Sequence, residues 1–159
     1  FAVSLATAAI AKDLDAPAGD VLLTVSGVIA QTNQDDVAVF DRAMLEQLGG
    51  VTIETTTPWT DGVQAFTGVP LGRLMETVGA GADTLLATAI NDYAVEIPRE
   101  DWAEGAALVA YLQNGAEMSL RDKGPLWVVY DYDGDGAFQT EQTYARSIWQ
   151  LDRIVVGAE

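Results

Sequence analysis

Apolar and polar positions alternate at period two along residues 21–28 (VLLTVSGV), with Val21, Leu23 and Val25 on one side. That pattern predicts a half-buried strand. Residues 31–36 are polar and read as a loop. Asp41 stands where a cap belongs, ahead of a helix over 42–48 whose Met44, Leu45 and Leu48 form one stripe and which Gly49 and Gly50 end. Residues 51–57 (VTIETTT) are β-branched and strand-like, and the PWTDG of 58–62 makes a turn. The clearest helical spacing covers 68–79: Pro70 suits the first turn, Leu71, Leu74, Met75 and Val78 share a face, and Gly79 stops it. Strands are expected over 84–90 and 93–97 around Asn91–Asp92, then a helical turn over 98–102. A second hairpin, 107–113 with 117–120, surrounds Asn114–Gly115, a pair that favours tight hairpin turns. Residues 126–130 (LWVVY) read as a buried strand and 148–156 as a closing strand. Many short strands with a few short helices predict an α+β fold, mainly β.

The 159 residues suit one domain over 12–159, preceded by an apolar segment over 1–11. Charge narrows the partners. Against 24 acidic residues stand 8 basic ones, a formal charge of −16. Such a surface repels phosphate backbones and anionic lipid, so neither nucleic acid nor a membrane is an expected partner. The chain has no Cys and no His. That removes disulfides, thiolate nucleophiles, Cys/His zinc sites and Ser-His-Asp triads together. Proton transfer would fall to carboxylates, Tyr, Lys or water. Residues 1–11 (FAVSLATAAIA) are uncharged and rich in small side chains, and end in Ala9-Ile10-Ala11 before Lys12. They resemble the back half of a secretory signal, which predicts an exported, periplasmic protein; the other reading is an ordered N-terminal helix. The stretch is too short for a bilayer, which takes about 20 residues.

Three segments carry a family resemblance. Residues 51–74 hold the strand VTIET and then FTGVPLGRLM, an aromatic-x-Gly-Val-x-Leu entry into a helix. Residues 91–102 (NDYAVEIPREDW) give a Tyr-containing strand, a proline and an acidic turn, and 123–156 combine KGPLWVVYD with ARSIWQLDRIVV. In this order they resemble the molybdopterin-binding domain of sulfite oxidase. The resemblance implies that fold and a cofactor pocket, yet its chemistry is interrupted. Thr55 stands where the family has the cysteine whose thiolate ligates molybdenum, and a neutral hydroxyl does not replace a soft thiolate. Trp149 stands where the family has a cofactor-facing lysine, while Arg146 matches.

On this resemblance a pocket would draw on Thr55, Thr57, Trp59, Asn91, Asp92, Tyr93, Arg121, Lys123 and Arg146. Trp59 and Tyr93 would stack on a flat ring while Arg121 or Lys123 meets an anionic substituent. Trp102, Trp127 and Trp149 sit in apolar segments and are expected in the core. A separate run, residues 131–138 (DYDGDGAF), spaces Asp131, Asp133 and Asp135 like the first half of an EF-hand loop. Gln142 replaces its final Glu, and LWVVY is no entering helix, so calcium and an acidic solvated turn are both open readings. Asp92, Glu96, Glu100 and Asp101 supply carboxylates for hydrolysis, but so acidic a chain makes such pairs by chance. The sequence therefore predicts an exported protein that binds a pterin, another small heterocyclic or anionic ligand, or a protein partner, without molybdenum redox catalysis. Alternatives are a molybdopterin-dependent oxidoreductase with atypical ligation and a calcium-stabilised structural domain.

Overall fold

In the computed structural model, residues 14–103, 106–134 and 136–157 are described. The apolar stretch 1–11 and Asp135 lie outside them. The strands are β1 (Leu23–Gly27), β2 (Ala38–Phe40), β3 (Val51–Thr55), β4 (Gln64–Pro70), β5 (Leu85–Ala89), β6 (Ala94–Ile97), β7 (Ala107–Gln113), β8 (Ala116–Glu117), β9 (Trp127–Tyr130) and β10 (Leu151–Val156). Between them lie α1 (Arg42–Gln47), α2 (Leu71–Val78), α3 (Arg99–Trp102) and α4 (Glu141–Arg146).

Two sheets organise these elements. One runs β2-β1-β10-β5-β6, the other β3-β4-β7-β8, with β9 also paired to β7. The β1–β10 pair is parallel and joins the two ends of the described chain. The first sheet follows the alternation of its sequence: Leu23 and Val25 are fully buried, as are Leu85, Ala87 and Ile154. In the second sheet β7 and β9 are covered on both faces and accordingly read as apolar runs, whereas β3 and β8 are largely exposed. Val109, Val128 and Tyr130 enter the main core, while Phe66, Leu108, Ala110, Trp127 and Val129 form a smaller cluster on the reverse face.

Helix α2 buries Leu71, Leu74, Met75 and Val78, each contributing about 1.5–3 kcal/mol relative to exposure. It ends at Gly79 in the left-handed region, where the Gly79 N–H reaches Glu76 and the Ala80 N–H reaches Met75, closing a Schellman cap. The helix expected from residue 68 begins only at Leu71; Gly68 and Pro70 belong to β4. The reason is a close approach of backbones: a Cβ on Gly68 would lie 2.0 Å from the Val109 carbonyl oxygen of β7. The Asn114–Gly115 hairpin forms as expected, with φ of 53° and 78°, but Leu120 lies beyond β8 and is exposed. Asp41 caps α1, accepting from the Met44 N–H at 2.8 Å. The same carboxylate accepts from the Ala18 and Gly19 N–H groups, tying the preceding loop to the helix. Among the described residues, no helix is long and apolar enough to cross a membrane.

Candidate functional site

Helix α4 and the segment after it build the floor of an aromatic cleft. Thr140 caps α4 by accepting the Thr143 N–H at 3.2 Å, and Arg146 closes the helix. Past the helix, Val128 donates to the Ile148 carbonyl and Leu151 to the Leu126 carbonyl, so residues 147–150 run along β9 before entering β10. Gln150 holds a left-handed backbone, φ 54°, and its Nε2 donates to the Leu120 carbonyl at 2.7 Å. This fixed path presents Tyr144, Ser147, Ile148, Trp149 and Gln150 to the cleft. The β5–β6 hairpin adds Ala89, Asn91 and Tyr93, and the β3–β4 loop adds Trp59.

The cleft encloses about 520 Å³. Its aromatic walls meet at steep angles. Trp59 stands edge-to-face to Trp149 (5.6 Å, 78°) and to Tyr144 (5.7 Å, 86°). Beneath it Trp59 also meets Trp127 and Tyr132, so the ring is wedged against the core. The described lining carries no carboxylate, amine or guanidinium. Buried Ser147 donates to the Thr143 carbonyl at 2.9 Å and shares a hydrogen bond with the Tyr132 hydroxyl. Burial pushes the Tyr132 hydroxyl up to about 12, so it stays protonated near neutral pH.

Of the nine expected pocket residues, the cleft brings together Trp59, Asn91 and Tyr93. The other six are elsewhere. Thr55 is fully buried; its hydroxyl donates to the Thr56 carbonyl at 3.0 Å and accepts the Asp133 N–H at 3.1 Å. Thr57 is buried too, sharing a hydrogen bond with Thr60 and lining a smaller hollow beside Tyr132. Asp92 points to Arg153 in an ion pair. Arg121 is exposed and lines neither cavity.

Lys123 does not line the cleft. Its Nζ sits 5.5 Å from the Trp127 ring centre and 5.6 Å from that of Trp149, with Asp122 at 3.5 Å. Arg146 turns to Asp101 at 3.0 Å, where the same oxygen accepts the Tyr130 hydroxyl at 2.9 Å. Asp101 is itself buried, which makes this trio internal structure. Burial first and the Asp101 charge second push the Tyr130 hydroxyl far above its ordinary range.

Seven of the ten lining residues were not expected there, the aromatic ones being Trp149 and Tyr144. Trp149, expected in the core with Trp102 and Trp127, is 39% exposed and forms a wall, whereas Trp127 is fully buried. Tyr144 belongs to α4, which the hydrophobic pattern did not reveal; the Thr140 cap followed by Glu141 was the available signal.

The acidic loop also has a use of its own. Asp133 accepts from the Thr56 N–H and hydroxyl, both at 2.7 Å, and these bonds hold its carboxyl below the ordinary range. Asp131 accepts the Gly134 N–H at 3.0 Å. Among the described residues, no three acidic side chains gather to hold a metal ion.

No family model matches the chain, and no curated protein matches it. A solved structure does: the sulfane dehydrogenase SoxCD from Paracoccus pantotrophus, at TM-score 0.61 and 17% identity, over 84% of this chain. The fold is that of a sulfite-oxidase-like molybdopterin-binding domain. The chain spans 37% of the length of that SoxCD chain. On this scaffold the residues do not fit a thiolate-held molybdenum. Thr55, where the sequence resemblance puts the ligand, is sealed and its hydroxyl is engaged at both lone pair and proton. The cleft lining offers no basic group for a pterin phosphate.

Proposed function

We propose that this chain is a binding module on a sulfite-oxidase-like scaffold, one that takes a small organic molecule into its aromatic cleft and performs no molybdenum redox chemistry. The observation carrying the reading is the charge-free cleft walled by Trp59, Tyr93, Tyr144 and Trp149. Aromatic walls with a few polar groups, here Asn91 and Gln150, are the usual make-up of a ligand site. An anionic substituent, expected to meet Arg121 or Lys123, has no partner in this lining, so the reading shifts to molecules without an anionic group, pterin without its phosphate among them. The loss of a usable ligand at Thr55 supports a role apart from catalysis. An exported, periplasmic setting belongs to the reading, supported by the composition of residues 1–11 alone.

Tryptophan fluorescence titrations with pterin and indole test the reading. A saturable change that Trp149→Ala abolishes is the expected result; a cleft that takes up neither these nor any other small organic probe overturns the reading. A protein partner is the second reading, favoured by the exposed Ile90, Tyr93 and Trp149 around the cleft. It predicts co-purification with a partner that Trp149→Ala releases.

A further inference from the structure

Resting on the cleft reading above, we infer that the molecule held there carries a quaternary ammonium head, with Trp59, Tyr93, Tyr144 and Trp149 as its aromatic box. Trp59 meets both Trp149 and Tyr144 at nearly right angles, so the rings form adjoining walls. These walls present aromatic surface to the cleft, with Tyr93 at its exposed rim, and a π face attracts a cation.

The lining selects among cations by what it lacks. A primary ammonium brings three N–H donors that need acceptors once dehydrated. No carboxylate lines the cleft, and its neutral acceptors include the Asn91 side-chain carbonyl, which already accepts the Tyr93 N–H. A trimethylammonium head has no N–H to satisfy and sheds water more easily. Its charge is met by ring faces instead.

Longer-range charge points the same way. The chain carries −16 overall, and exposed Asp61 and Glu141 lie on two of the segments that supply the cleft's rings, those of Trp59 and Tyr144. Two basic residues nearby are matched, Arg146 by Asp101 and Arg153 by Asp92 and Asp152. An acidic surround raises the local concentration of a cation and lowers that of an anion. Lys123 is the one opposing charge, resting on the Trp149 ring 5.6 Å from its centre. It serves as an internal control, because its removal favours a cation in the cleft and disfavours an anion. The cavity of about 520 Å³ leaves room for the body of a molecule beyond the head group.

The test compares choline with its uncharged isostere, in which a tert-butyl group replaces the trimethylammonium head, by fluorescence titration at constant ionic strength. Choline is expected to bind about tenfold more tightly than the isostere. Tyr93→Leu, at an exposed position that leaves the fold intact, should weaken choline severalfold, and Lys123→Gln should strengthen it. Equal binding of the two compounds, or no binding of either while pterin or indole still binds, overturns the charge preference and leaves the cleft reading standing. Failure of all four compounds and of every other small organic probe overturns both.

Discussion

The hydroxyl of Thr55 accepts the backbone N–H of Asp133, 78 residues further along the chain, at 3.1 Å. The contact is reciprocated one residue on, where Thr56 donates its N–H and hydroxyl to the Asp133 carboxylate. The end of β3 and the loop after β9 are thus clasped together. The scaffold keeps the strand on which the resemblance places a metal ligand, and uses its last residue to close a loop.

Thr55→Cys tests that closure. The thiol would be nearly isosteric with the hydroxyl it replaces, in a site with no exposed surface. The native variant is expected to resist an aromatic disulfide reagent and to react fully once unfolded, and to acquire no molybdenum. Rapid labelling of the native protein would show the position to be open.

Asp133 gives a pH prediction. Its carboxyl lies below the ordinary value of 3.8 because Thr56 donates to the ionised form. A group depressed in the folded state adds stability that is complete above its unfolded value and is lost as pH falls through the folded one. Melting temperature should therefore decline below about pH 4, with Asp41, depressed by the Met44, Gly19 and Ala18 N–H groups, acting in the same window. Asp133→Asn should flatten part of that decline, measured by thermal melts across the acid range. An identical acid slope in the variant would remove Asp133 from the account.

The two tryptophans of the isolated bridge between residues 127 and 149 separate stability from recognition. Trp127 is fully buried against Phe66 and donates its Nε1–H to the Ser147 carbonyl at 3.2 Å. Trp127→Ala is expected to cost about 3–5 kcal/mol in urea denaturation. Trp149→Ala should cost less than about 1 kcal/mol, because the ring is substantially exposed, and yet abolish ligand binding. Reversed effects would place the cleft wrongly.

Arg146 matches the family pattern in sequence but serves Asp101 and Tyr130 in the structure. Arg146→Met leaves Asp101 buried without its countercharge and should cost about 2–3 kcal/mol. Asp101→Asn combined with it should cost less than the sum of the two single changes. Ligand affinity at the cleft should stay within twofold of the unmodified protein, about 0.4 kcal/mol. A larger loss of affinity with an unchanged melt would make Arg146 a binding residue.

These particulars show where the sequence was informative. Helix α2 and the two hairpins were legible because their signals are local: an apolar stripe, a stopping glycine, an Asn-Gly turn. The start of α2 was not, since Gly68 answers to a strand more than forty residues away in the chain, as the 2.0 Å approach to Val109 records. Trp59, Asn91 and Tyr93 were legible as neighbours around one cleft because turns place them at strand ends. Trp149 was read as core from its apolar neighbours, yet a positive φ at Gln150 turns the chain there and leaves the ring at the surface. Basic residues were assigned to a ligand by type, and tertiary packing gave them to carboxylates and rings instead.

The proposal of a sulfite-oxidase-like scaffold without molybdenum chemistry rests on the sealed hydroxyl of Thr55. Its most direct test is to produce the full chain in a host that makes molybdopterin and to measure bound metals by mass spectrometry. The account predicts no molybdenum above background in protein that still binds ligand in its cleft. Stoichiometric molybdenum would contradict it.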